Sequence, residues 1–81
     1  MKQLKENKTD NNQLRNTKKF LNGMIYAFNI LSDDKDNQKL LYLNIKETKK
    51  PWIEKYKDLQ LNVTGISELF DKVIKDMEAI L

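Results

Sequence analysis

The chain predicts an all-α fold, a small antiparallel bundle of about four helices. Apolar residues recur at helical spacing in three separate stretches. A single proline and two isolated glycines punctuate those stretches where helices would start or stop. With no cysteine among its 81 residues, the chain must be held by its apolar core alone.

Residues 1–10 are rich in Lys and Asn, lack an apolar stripe, and are expected to form a mobile basic tail. A single helical domain is expected over 11–81. Its first helix should run over 11–31, capped by Asp10 or Asn11. At about 100° per residue, Leu14, Thr17, Phe20, Leu21, Met24, Ile25, Phe28 and Leu31 share an arc of roughly 140°. Tyr26 and Ile30 fall outside it.

SDDKDNQK, residues 32–39, supplies cap and turn residues, and the run over 36–49 is expected to be the second helix. Its apolar residues spread widely around a helix, so a strand over 39–47 paired with 24–31 is the alternative, giving an α+β fold with a hairpin at 24–47. Pro51 disfavours helical geometry at Lys50 and suits a first turn, which places a third helix over 51–61. Trp52, Tyr56, Leu59 and Val63 form its stripe, with Ile53 at the edge. Gly65, with Asn62 and Thr64, breaks that helix and starts the fourth, 65–81. Ile66, Leu69, Phe70, Val73, Ile74, Met77, Ile80 and Leu81 line one face of the fourth helix. Phe28, Trp52, Tyr56 and Phe70 are the expected core anchors.

Composition removes many chemistries. Histidine and cysteine are both absent, so there is no imidazole base, no thiolate nucleophile and no soft metal site. Neither Ser32 nor Ser67 can have a histidine partner. Asp33/Asp34 and Glu68/Asp71 lie in a turn and on a polar helix face, away from the burial that acid–base carboxyls need. The glycines are too isolated for a phosphate loop. No catalytic residue, cofactor or metal is expected, and the protein is expected not to be an enzyme. No stretch is long and apolar enough to span a membrane. A cytoplasmic location is expected, and the Lys-, Asn- and Ile-rich usage suits a bacterial or phage genome.

Charge is unevenly placed within a net +3. Residues 1–19 carry +4, residues 46–57 carry +3, and residues 58–81 carry −3. The segment KKPWIEKYK, with Lys46 just before it, sets Lys46, Lys49, Lys50, Lys55 and Lys57 around Trp52 and Tyr56. If the aromatics face the core, these lysines form the solvated side and offer a basic docking surface. The expected function is a small protein-binding module of bacterial or phage type, an inhibitor, immunity or regulatory protein. It would act through a lysine-ringed apolar helical surface on an acidic protein, and surplus apolar residues point to self-association as a homodimer or to a hetero-partner. The alternative is a nucleic-acid-binding accessory protein that uses the basic tail and residues 46–57. A helix-turn-helix reading of 61–77 is disfavoured, because Glu68, Asp71, Asp76 and Glu78 would repel phosphate.

Overall fold

The computed structural model describes Leu4 and residues 12–81. The described residues form three helices, α1 (Asn12–Ile30), α2 (Lys35–Asp58) and α3 (Thr64–Ile80), and no strand. The all-α expectation holds and the hairpin alternative does not, since residues 24–30 lie within α1 and 39–47 within α2. The expected tail over 1–10 and the cap at Asp10 or Asn11 lie outside the described residues, Leu4 excepted. Leu4 packs against the core, and its backbone exchanges two hydrogen bonds with the Asn22 side-chain amide, at 2.7 and 3.1 Å.

The count of four helices is corrected to three, because α2 continues through Pro51. A proline inside a helix removes one i→i−4 hydrogen bond and crowds the carbonyl it would have used. Here that carbonyl belongs to Glu47. Pro51 and Glu47 are both exposed, so water is at hand for the orphaned oxygen. The residues just beyond, Trp52, Ile53 and Tyr56, pack against the core and hold the continued helix in place.

Each turn has a chemical cause. Asp34 caps α2, its carboxylate accepting from the Asn37 backbone N–H at 3.2 Å and from the Asn37 side-chain amide at 2.6 Å. At the other end of α2, Leu61 N–H donates to Tyr56 C=O and Gln60 N–H to Lys57 C=O. This pair of bonds is a Schellman closure, which needs a left-handed residue. Gln60 supplies it at φ +60°. The break therefore falls at Gln60 rather than at Gly65, which is the second residue of α3. Gly65 serves a close approach instead, since a Cβ there would come within 3.0 Å of Leu14 Cδ2. Gln60→Gly is expected to raise stability by about 0.5–1 kcal/mol by relieving the left-handed penalty, read as a higher urea midpoint at unchanged slope.

The helices run up, down and up. Phe28 of α1 meets Gln38 of α2, Tyr42 of α2 meets Glu78 of α3, and Leu14 lies beside Gly65. The core is Leu21, Ile25, Phe28, Ile45, Ile66, Phe70, Val73 and Met77. Helix α3 packs well on both neighbours, whereas α1 and α2 touch less. Gln38 is buried, and its amide donates at 2.9 Å to the Phe28 carbonyl near the end of α1. It thereby satisfies an acceptor from the last turn, which lacks an intrahelical donor. Leu59, 61% exposed, is not part of the core stripe, and Ile80 and Leu81 are largely outside it as well. Leu59 follows the last turn of α2, where the chain is already turning away.

Candidate functional site

The basic segment lies on the second half of α2. Trp52 is half-buried and faces inward. Its ring stacks on Phe20 at 4.8 Å between centroids and meets Phe70 edge-on at 6.0 Å. Its indole N–H donates to Thr17 Oγ1 at 2.9 Å, and that hydroxyl donates onward to Gln13 C=O at 2.8 Å. A tryptophan with its ring packed and its one donor satisfied is committed to the fold. Tyr56, half-buried, sits 6.2 Å from Trp52, while Phe28 and Phe70 are fully buried.

The five lysines do not form one patch. At about 100° per residue, Lys46, Lys49, Lys50 and Lys57 share one side of α2, while Lys55 points roughly 160° from Lys57. Lys55 instead stands over the Tyr56 ring at 5.9 Å. Lys46, Lys49, Lys50, Ile53, Glu54 and Lys57 line one open depression of about 430 Å³. Lys49 is ion-paired with Asp71 of α3, and Lys46 stands 5.3 Å over the Tyr42 ring. The Tyr42 phenol donates to the Glu78 carboxylate at 2.6 Å. That bond favours the protonated phenol and raises its pKa above the ordinary tyrosine value.

Because α2 is continuous, the basic side extends further than residues 46–57. Lys35 and Lys39 fall in the same arc of roughly 120°, as do Tyr42, Leu43 and Ile53. Lys35 reaches the end of α3, its ammonium 3.4 Å from Ile80 C=O. The stripe from Lys35 to Lys57 is therefore about 33 Å long, close to the 40 Å long axis of the molecule. Carboxylates border it on both sides. Exposed Asp36, Glu47 and Glu54 follow one flank of α2, and Asp71 and Glu78 line the α3 seam. Sequence reading missed Lys35, Lys39 and Leu43. Their i, i+4, i+8, i+11 relation to Lys46 is present in the chain, but the strand alternative over 39–47 and a charge count begun at residue 46 concealed the shared face.

A second surface lies at the other α2 seam. Met24, Leu31, Asn37, Leu40, Leu41 and Asn44 line an open depression of about 380 Å³ where α1 and α2 touch least. Ile30 and Leu40 are each 63% exposed. Among the described residues, no cluster of three or more carboxylates is placed to hold a metal ion. No helix among them is long and apolar enough to cross a membrane. Comparison of the chain with protein-family models, curated proteins and solved structures found no match.

Proposed function

We propose that the protein is a small non-enzymatic binding module, of the inhibitor, immunity or regulatory kind, that docks an acidic protein surface on the lysine-ringed face of α2. The observation that carries this reading is the depression lined by half-buried Ile53 and by Lys46, Lys49, Lys50 and Lys57, with Glu54 at its flank. An apolar centre within a basic rim is what an electrostatically steered protein interface requires. The charges set the arrival rate and the apolar contact holds the complex. The absence of histidine and cysteine from the chain agrees with a role that needs no catalysis.

One observation favours protein over nucleic acid as the partner. Trp52 stacks on Phe20, meets Phe70 edge-on and donates to Thr17, so its ring and its one donor are already engaged within the fold. Self-association has its own support in exposed Leu40, which lines the α1–α2 depression, and in exposed Ile30 at the end of α1. Sedimentation over a range of concentrations, with Leu40→Asp as the control, measures it.

The test of the main reading is Lys46→Glu/Lys50→Glu, two positions on one side of the helix. Thermal stability is expected to shift by no more than about 1 kcal/mol, since exposed charges and an exposed cation–π pair contribute little. Association with the partner captured by the wild type in its own cells should slow about tenfold, with dissociation less affected. Unchanged capture by the variant would put the binding surface elsewhere. Capture that nuclease abolishes, with affinity falling steeply as salt rises, would assign the face to nucleic acid.

A further inference from the structure

We infer that the element received by this face is an acidic amphipathic α-helix, lying lengthwise along α2 from Lys35 to Lys57. The inference rests on the protein-docking reading and adds the shape of the partner to it.

Three features of the stripe point to a helix. The first is its repeat. Lys39 to Lys46 and Lys50 to Lys57 are each seven residues, about 10.5 Å, and Lys46 to Lys50 is four residues, about 6 Å. These are the axial spacings of side chains on one face of any α-helix. A facing helix with carboxylates at the same four- and seven-residue intervals places one near each ammonium along the whole length. A compact acidic loop could meet only a few of them.

The second feature is width. The stripe is confined between Asp36, Glu47 and Glu54 on one flank and Asp71 and Glu78 on the other. A single helix, about 10–12 Å across with its side chains, is as wide as the one helix face the stripe occupies. A nucleic-acid duplex presents phosphates on two strands and would bring some of them against these carboxylates. The fence therefore selects against a broad polyanion while leaving a narrow acidic rod unopposed. Basic side chains on the flanks of the incoming helix would meet the same carboxylates favourably.

The third feature is the interleaving of apolar groups. Leu43 is 40% exposed, and Tyr42 and Ile53 are half-buried within the same arc. Leu43 and Ile53 lie ten residues apart, about 15 Å along the axis, so an apolar residue can be received in each half of the stripe. That is the anchor pattern of helix-on-helix recognition.

The test uses two synthetic peptides of identical composition and of about the same length as the stripe, residues 35–57. In one, Glu and Leu follow the four- and seven-residue spacing; in the other, the same residues are scrambled. Binding to the full chain is measured by fluorescence anisotropy, and backbone amide shifts locate it. The ordered peptide is expected to bind about tenfold tighter than the scramble, with shifts running along 35–57. Lys39→Glu and Lys57→Glu, about 27 Å apart, should each weaken the ordered peptide, because contact spans the whole stripe. Equal binding of both peptides would overturn the helical partner while leaving a charge-selective protein surface intact. Shifts confined to 46–57, with Lys39→Glu silent, would likewise overturn lengthwise docking. Binding of neither peptide would sink the proposal, and duplex DNA bound in their place would sink the protein-docking reading along with it.

Discussion

Replacing Trp52 with alanine should destabilise the protein by about 3–5 kcal/mol, the usual cost of deleting a large packed aromatic. The ring lies between Phe20, Phe70 and Tyr56, so it joins all three helices. Each aromatic pair adds about 0.5–1.5 kcal/mol beyond area burial. Removing the indole also takes away the donor to Thr17 Oγ1. Domains of this kind hold only about 5–15 kcal/mol in total, and small ones sit near the bottom of that range. The melting temperature should accordingly fall by more than about 12 °C, or the variant should fail to fold at all. Trp52→Phe gives a milder measurement, because it keeps the stack on Phe20 and loses the hydrogen bond. Combined with Thr17→Val in a double-mutant cycle, it should give a coupling of about 1 kcal/mol. Native emission should be blue-shifted and move red on unfolding. If Trp52→Ala cost less than about 1 kcal/mol, the aromatic cluster would not be the joint that fastens the second half of α2.

Much of this architecture can be read in the chain, and the residues show where reading stops. Helices α1 and α3 carry single broad apolar faces, and Leu21, Ile25, Phe28, Phe70, Val73 and Met77 are buried where periodicity puts them. Helix α2 is harder because its lysines and apolar residues alternate around the axis and Ile45 is its only fully buried apolar residue. It is held by half-buried Leu41, Tyr42, Trp52 and Tyr56, and by Gln38, a polar residue that no hydrophobic pattern would place in a core. Gln60 illustrates a different limit. Glycine is the common signal for a left-handed closure, and here the nearest glycine lies five positions downstream with another task.

The candidate site was legible in kind and not in extent. Lysines around a core-facing tryptophan can be recognised from KKPWIEKYK alone. Which of them share a side depends on helical phase, and phase carries only as far as the helix does. Ending α2 at Pro51 separated Lys35 and Lys39 from Lys57, and counting charge by segment grouped Lys55 with Lys57, which points about 160° away on the same helix. The carboxylate row on the α3 side is also invisible without the fold, since Asp71 and Glu78 reach the stripe only through the antiparallel packing of α3.

Pro51→Ala should therefore stabilise the protein, and by an amount that reports how continuous α2 is. Proline in a helix interior is about 3 kcal/mol less favourable than alanine. Alanine restores the donor to the Glu47 carbonyl and removes the ring's clash with it. Against this, proline restricts the unfolded chain, and losing that restriction gives back about 0.4–1 kcal/mol. The net expectation is a gain of about 2 kcal/mol, read as a higher denaturant midpoint with unchanged slope. Slower hydrogen exchange at the amides of residues 48–55 should accompany it, since the substitution adds a hydrogen bond to that turn. If α2 were in truth two helices meeting at Pro51, proline would occupy a first turn at little cost. The substitution would then be neutral or destabilising. Alanine should also keep Lys39, Lys46, Lys50 and Lys57 in one line, so the ordered acidic peptide should bind Pro51→Ala at least as tightly as it binds the wild type. Weaker binding together with higher stability would mean that a bend at Pro51 shapes the basic face, and that the straight-rod geometry of the stripe is wrong.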